Sequence, residues 1–285
     1  MRIENACVEC IINQSLKVAD AIEADAKLQE KLHTNTQKLS KNFSYELSPP
    51  EVASDVYEEM AQIAKREDLY LKQKEEATQL AKSFIPSLQS YLDNAEDKLL
   101  SATKIAVAGN VIDLAAEVLF DLSEELEKIF ETEFAHNDFA LMQRELEDAK
   151  SVVVLGDNVG EHIFDYLFIQ TLQKLYPALD ISYFVRGNPI INDVTLKEAK
   201  EAGFDTLCNL VDSGVNTPGF AYSRATKEAQ QLFDNADVVI SKGMGNYECL
   251  SPTHRENIFF LLKVKCNVVA TSLAQEVGDI ICKRV

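Results

Sequence analysis

Three loop segments in the second half of the chain carry side chains suited to metal and anion chemistry, and each follows a short apolar run. Gly156-Asp157-Asn158-Val159-Gly160-Glu161 follows the first run, and Arg186-Gly187-Asn188-Pro189-Ile190-Ile191-Asn192-Asp193 follows the second. Asp157, Asn158 and Asp193 together offer three oxygen donors. That set suits a hard divalent ion such as Mg²⁺ or Mn²⁺ and leaves coordination positions for water and a substrate. The same residue types favour helix N-caps, so capping is the alternative reading of each one taken alone. Lys242-Gly243-Met244-Gly245-Asn246 places a cation on a glycine-bearing turn, where unhindered backbone amides can approach phosphate oxygens and the lysine can balance their charge. Its spacing is not that of a Walker A loop.

Weaker candidates lie elsewhere. Asn110 and Asp113 stand three apart, on one face of any helix there, and could face the same crevice or simply cap a helix. Cys7-Val8-Glu9-Cys10 supplies two soft ligands, but a tetrahedral zinc site needs about four, and no second such pair follows. His33, His136, His162 and His254 show no metal-ligand spacing. Gly-x-Ser-x-Gly is absent, and Gly-x-Gly-x-x-Gly does not follow the first strand, which weakens serine-hydrolase and dinucleotide-dehydrogenase readings.

The elements that must position these residues fall into two regimes. All ten glycines lie at or after Gly109, so the chain before it reads as long helices. Ser48-Pro49-Pro50-Glu51 reads as a helix start. From residue 151, β-branched runs alternate with helical stretches, which is the pattern of a parallel, doubly wound sheet. The runs are 152–155, 181–185, 206–211, 237–240 and 267–270; the crossover helices are expected at 160–176, 194–202, 221–234 and 253–264. The expected fold is therefore α/β: a helical domain over 1–100, then a three-layer α/β/α Rossmann-like domain over 101–285 with a mostly parallel sheet. An acidic helical segment, 111–150, leads into the second domain. In such sheets ligands bind beyond the carboxyl ends of the strands, where the three segments lie.

Composition bounds the function. The 285 residues carry 28 basic and 46 acidic side chains, a formal charge of −18, which disfavours capture of a nucleic-acid backbone or an anionic membrane. Most of the acid precedes residue 151. No run reaches the roughly 18 apolar residues of a membrane helix, and the first residues lack the apolar core of a signal peptide. The six cysteines do not form a secreted disulfide framework. A cytoplasmic protein with reduced thiols is expected; oligomeric state is not legible.

The three loop segments resemble, in order, the signature segments of the damage-control phosphatase family, a group of metal-dependent phosphatases first catalogued as a domain of unknown function and including acidic-residue methyltransferase-like proteins. Cys7-Val8-Glu9-Cys10, Ala108-Gly109-Asn110-Val111-Ile112-Asp113 and the stretch Phe259 to Cys266 are similar to further landmarks. The N-terminal pair points to the stand-alone prokaryotic branch. Val159 and Met244 stand where the family pattern has alanine and glutamine. The resemblance implies Asp157, Asn158 and Asp193 as ligands of Mn²⁺, Mg²⁺, Co²⁺ or Ni²⁺, Lys242 as a phosphate contact, and Asn110 and Gly243 as pocket-lining residues. Glu161 joins Asp157 and Lys242 as a catalytic candidate, and Arg186 and Asn246 join the substrate-binding set. The implied reaction is hydrolysis of small phosphorylated metabolites, such as sugar phosphates, by metal-activated water; Asp157 as the attacking group remains open. The rival readings are an S-adenosylmethionine-dependent carboxyl methyltransferase and a non-enzymatic metal- or nucleotide-binding protein.

Overall fold

The computed structural model describes residues 1–109, 128, 130–252 and 255–285. The glycine-free first part forms five helices: α1 (Asn5–Ala21), α2 (Ala26–Ser40), α3 (Pro49–Ala64), α4 (Leu71–Asn94) and α5 (Lys98–Gly109). The expected start at Ser48 is a capping box: the Glu51 carboxylate accepts from Ser48 N at 2.9 Å, satisfying an orphan backbone donor, and from Ser48 Oγ at 2.7 Å. Pro86 lies inside α4 without ending it.

Among the described residues seven strands follow: β1 (His136–Asn137), β2 (Ser151–Leu155), β3 (Asp180–Val185), β4 (Asn209–Asp212), β5 (Val238–Lys242), β6 (Ile258–Lys263) and β7 (Ile280–Arg284). Their connecting helices are α6 (Phe139–Asp148), α7 (Glu161–Leu175), α8 (Leu196–Glu201), α9 (Phe204–Leu207), α10 (Lys227–Asn235), α11 (Gly243–Leu250) and α12 (Asn267–Leu273). The sheet order is β1-β7-β6-β5-β2-β3-β4, and every neighbouring pair is parallel except β6 with β7. The fold class is the expected mixed α/β arrangement with a mostly parallel sheet.

Alternation divides each strand between two cores. Val152 and Val154 face a cluster with Ile105 of α5, Phe164 and Phe168 of α7 and Met142 of α6. Val153 and Leu155 face the other cluster, with Phe233 of α10, Tyr247 of α11 and Leu273 of α12. Helices on both faces explain why the central strands read as unbroken apolar runs rather than alternating ones. Helix α4 joins the first cluster through Ala81, Leu88 and Leu92. Helices α1 to α3 have a cluster of their own, which takes in Ile190 from the loop after β3.

Four expected elements differ, and one strand is additional. Residues 253–264, expected as a crossover helix, contain β6; residues 267–270, expected as a strand, open α12; and β7 was not expected. Ile258-Phe259-Phe260-Leu261-Leu262 is apolar at every position, a pattern that periodicity cannot assign between strand and buried helix. Burial on both sheet faces decides for strand. Residues 204–207 form α9, so β4 starts only at Asn209, and the expected helix at 221–234 resolves into a short 3₁₀ turn before α10. Among the described residues no helix is long and apolar enough to cross a membrane.

Candidate functional site

Strand β2 lies between β5 and β3, and the chain leaves the two sides of β2 in opposite directions, so the carboxyl ends of β2, β3 and β5 surround the crevice typical of such a reversal. The loop after β2 and the loop after β3 are zipped together there. Asn158 and Asp193 form an antiparallel bridge, with Val159 N donating to Asn192 O at 2.8 Å and Val194 N donating to Asp157 O at 2.9 Å. Residues 35 positions apart in sequence are thereby fixed side by side through backbone hydrogen bonds.

Buried carboxylates crowd this corner. Asp157, Asp193 and Glu161 are all buried. Asn158 Nδ2 donates to Asp157 Oδ2 at 2.8 Å and Glu161 Oε2 at 3.3 Å. Burial, then the charges of Glu161 and Asp193, hold the Asp157 carboxyl well above its ordinary range, against the opposing pull of Arg186 and Lys265. Burial pushes Asp193 up to about 6, although Arg186 and Lys74 work against it. Burial outweighs the nearby cations at both aspartates, and a bound cation would favour their charged forms.

Arg186, 1% exposed, enters from β3. Its Nε donates to Asp193 Oδ2 at 2.7 Å, and one Nη2 donates to Asn246 Oδ1 at 3.1 Å and lies 3.8 Å from Asp157 Oδ1. Asn246 on α11 in turn donates to Gly156 O at 3.1 Å and Lys242 O at 2.7 Å, and its Oδ1 accepts from Phe220 N at 2.7 Å. Both residues, expected to bind substrate, are seen bracing the loops that carry the candidate ligands.

Lys242 ends β5 with no exposed surface. Its ammonium donates to Ala106 O at 2.9 Å, Glu161 Oε1 at 2.6 Å and Asp165 Oδ1 at 2.5 Å. Burial works against its charge, but Asp165 and Glu161 overcome that and raise its pKa. Its three N–H donors are thus matched by three protein acceptors, and a phosphate contact requires one acceptor to be given up. Ala106 belongs to α5, so Lys242 also ties that helix to the sheet.

Sequence reading missed Asp165, which shares Lys242 with Glu161 and accepts from Tyr183 Oη at 2.9 Å. Its signal was present: Glu161 and Asp165 are four apart on α7 and so share a face. Lys265 was seen only as part of a landmark, yet its charge reaches Asp157. His162 is a packed residue: its Nδ1 accepts from Gly160 N at 3.0 Å, and burial pushes its pKa down to about 4. Asn110, Asp113 and His254 lie outside the described residues. Cys7 is buried and Cys10 exposed on α1, and all six thiols are free. Among the described residues no group of three or more His, Cys, Asp or Glu side chains is disposed to hold a metal ion; the candidate set at the crevice is two carboxylates and an amide.

The chain is similar along its length to known proteins. A family model described as the damage-control phosphatase ARMT1-like domain matches residues 3–281. A damage-control phosphatase of Pyrococcus horikoshii is 29% identical over 286 residues, covering 100% of this chain and 98% of that protein. A damage-control phosphatase of Archaeoglobus fulgidus is 28% identical over 289 residues, covering 99% of each. The crystal structure of a DUF89 family protein from Pyrococcus horikoshii superposes with a TM-score of 0.93 at 28% identity, covering 100% of this chain and 99% of that one.

Proposed function

The chain belongs to the damage-control phosphatase ARMT1-like family, and from that premise we propose that it hydrolyses phosphate monoesters of small metabolites, using a divalent metal ion held at the ends of β2 and β3. The observation that carries the reading is the bridge between Asn158 and Asp193, which brings oxygen donors from two loops together among buried carboxylates.

The donor chemistry fits a hard dication. Asp157 and Asp193 would supply carboxylate oxygens, and Asn158 would supply an amide oxygen once its side-chain amide turns from the orientation in which Nδ2 donates to Asp157 and Glu161. Mg²⁺, Mn²⁺, Co²⁺ or Ni²⁺ bound there supplies Lewis-acid charge to a phosphoryl oxygen and acidifies water.

The protein's own groups do the positioning. Arg186 holds Asp193 through Nε and offsets the charge of Asp157. Lys242 donates to Glu161 and so holds that carboxylate beside Asn158. Lys265, near enough to act on Asp157, adds a second cation on the side of the β6–α12 loop. Fixed charges and dipoles of this kind stabilise negative charge developing on phosphoryl oxygens without reorganising at the moment of reaction.

The test is phosphate release. Chelator-stripped protein should release no inorganic phosphate from p-nitrophenyl phosphate or a sugar phosphate. Adding back Mn²⁺, Mg²⁺, Co²⁺ or Ni²⁺ should restore release with at least one of the four. Folded protein that releases none with any ion, on either substrate, would overturn the reading.

A further inference from the structure

Lys74 on α4 is a buried ammonium, 1% exposed, far in sequence from every residue drawn from the strand ends. Its Nζ donates to Asp68 Oδ2 at 2.9 Å, across the turn that leads into α4, and lies 3.8 Å from Glu198 Oε1. Glu198 is the first-turn carboxylate of α8. Its Oε2 accepts from Thr195 N at 3.0 Å and Thr195 Oγ1 at 2.5 Å, a capping box. Thr195 follows Asp193 by two residues and pairs with Arg186, the residue that holds Asp193 Oδ2. A short, continuous line of contacts therefore runs from α4 to the loop that carries Asp193.

The same face of α4 meets the other loop. Ala77 lies three residues beyond Lys74, so the two share one helical face. It packs on Gly160, where an added Cβ would stand 3.1 Å from Ala77 Cβ. Helix α4 thus touches the loop of Asp157 and Asn158 through Ala77, and the loop of Asp193 through Lys74 and Glu198.

We propose that Lys74 is a positioning residue for the metal site: by holding Glu198 from α4 it fixes the spacing between the loop bearing Asp157 and Asn158 and the loop bearing Asp193. The inference rests on the divalent-ion reading above and deepens it. A buried ion pair alone is weak grounds for fold stability, since desolvation offsets most of its Coulomb energy. Its geometric effect is different: it joins α4 and the turn before it to the first turn of α8. Partners outside the ligand set commonly set metal affinity in this way.

Calorimetric titration of the chelator-stripped full-length protein with Mn²⁺, alongside thermal unfolding, tests this. Wild type should bind. Lys74→Met, which keeps the length and removes the charge, should bind about tenfold more weakly, at the low end of the range for outer partners of metal sites. It should also raise the Mn²⁺ concentration needed for half-maximal hydrolysis. Lys74→Arg should recover most of the affinity, and Glu198→Gln, which keeps an oxygen for Thr195, should fall between. Wild-type affinity in Lys74→Met, whatever its unfolding temperature, overturns the role given to Lys74 and leaves the ion site standing. If Lys74→Met does not fold, unchanged affinity in Glu198→Gln overturns it equally. Failure of the wild-type protein to bind Mn²⁺ removes the ion site, and this inference with it.

Discussion

Gly243 faces Asp157 so closely that a Cβ on Gly243 would stand 1.9 Å from Asp157 Oδ2. Position 243 also has φ +74°, a left-handed conformation that costs an L-residue roughly 1 kcal/mol. The first residue of α11 is therefore pressed against a candidate ligand, with only a hydrogen between them. Gly243→Ala should move the Asp157 carboxylate by an ångström or so and lower kcat/KM by about 100-fold, the scale of such misplacements. Unfolding temperature should fall only modestly. Activity near the wild-type level in Gly243→Ala would show that Asp157 is not held where the reaction needs it.

Lys242 is neutralised by Glu161 and Asp165, so its removal leaves two buried carboxylates without their cation. Lys242→Met should destabilise the fold by about 3–5 kcal/mol, the usual cost of breaking a buried pair from one side. Adding Asp165→Asn should recover part of that loss, because one of the two stranded charges is gone. Denaturant unfolding of the single and double variants measures this; equal stability of the two would mean that Lys242 and Asp165 do not act as a pair.

The raised carboxyls give stability a definite pH sense. Asp165 and Asp193, normally near 3.8, stand at about 6 in the folded protein, chiefly through burial. A raised acid binds its proton more tightly when folded. Its contribution is therefore full below the unfolded pKa and is lost as pH rises through about 6. His162, pushed down to about 4 by burial, works in the opposite sense over the same window, so the measurement is a difference. Relative to wild type, Asp193→Asn should gain stability as pH rises from 4 to 7. A parallel pair of stability curves would contradict the shift. Mn²⁺ should stabilise wild type more at pH 7.5 than at pH 5, because protons compete for its ligands.

Asn158 sits among Asp157, Glu161 and the Asp193 loop. Asn158→Asp adds another carboxylate to that group. Like charges in a buried cluster should lower the unfolding temperature of the metal-free protein, and Mn²⁺ should raise it more than in wild type. A metal-free variant as stable as wild type would place Asn158 outside the carboxylate cluster.

Much of this was legible locally. The end of β2 at Leu155, the capping box of Ser48 and Glu51, and the segments holding Asp157, Asn158, Asp193, Lys242 and Gly243 are short-range patterns. Strand ends and helix starts are set by neighbours a few residues away. The sequence alone therefore determined the fold class and set Asp157, Asn158, Asp193, Lys242 and Gly243 in segments at or just beyond the ends of strands. It could not determine that Phe259 and Phe260 face opposite cores in a strand, because an all-apolar run takes its form from what covers it. Nor could it determine that Lys242 is matched by Asp165 and Ala106 O, or that Lys74 reaches Glu198. Those partners are 77, 136 and 124 positions away, and only packing of α4, α5 and α7 against the sheet brings them within reach. Which charges neutralise one another in a buried site depends on which segments exclude water from it, and that is a property of the assembled chain.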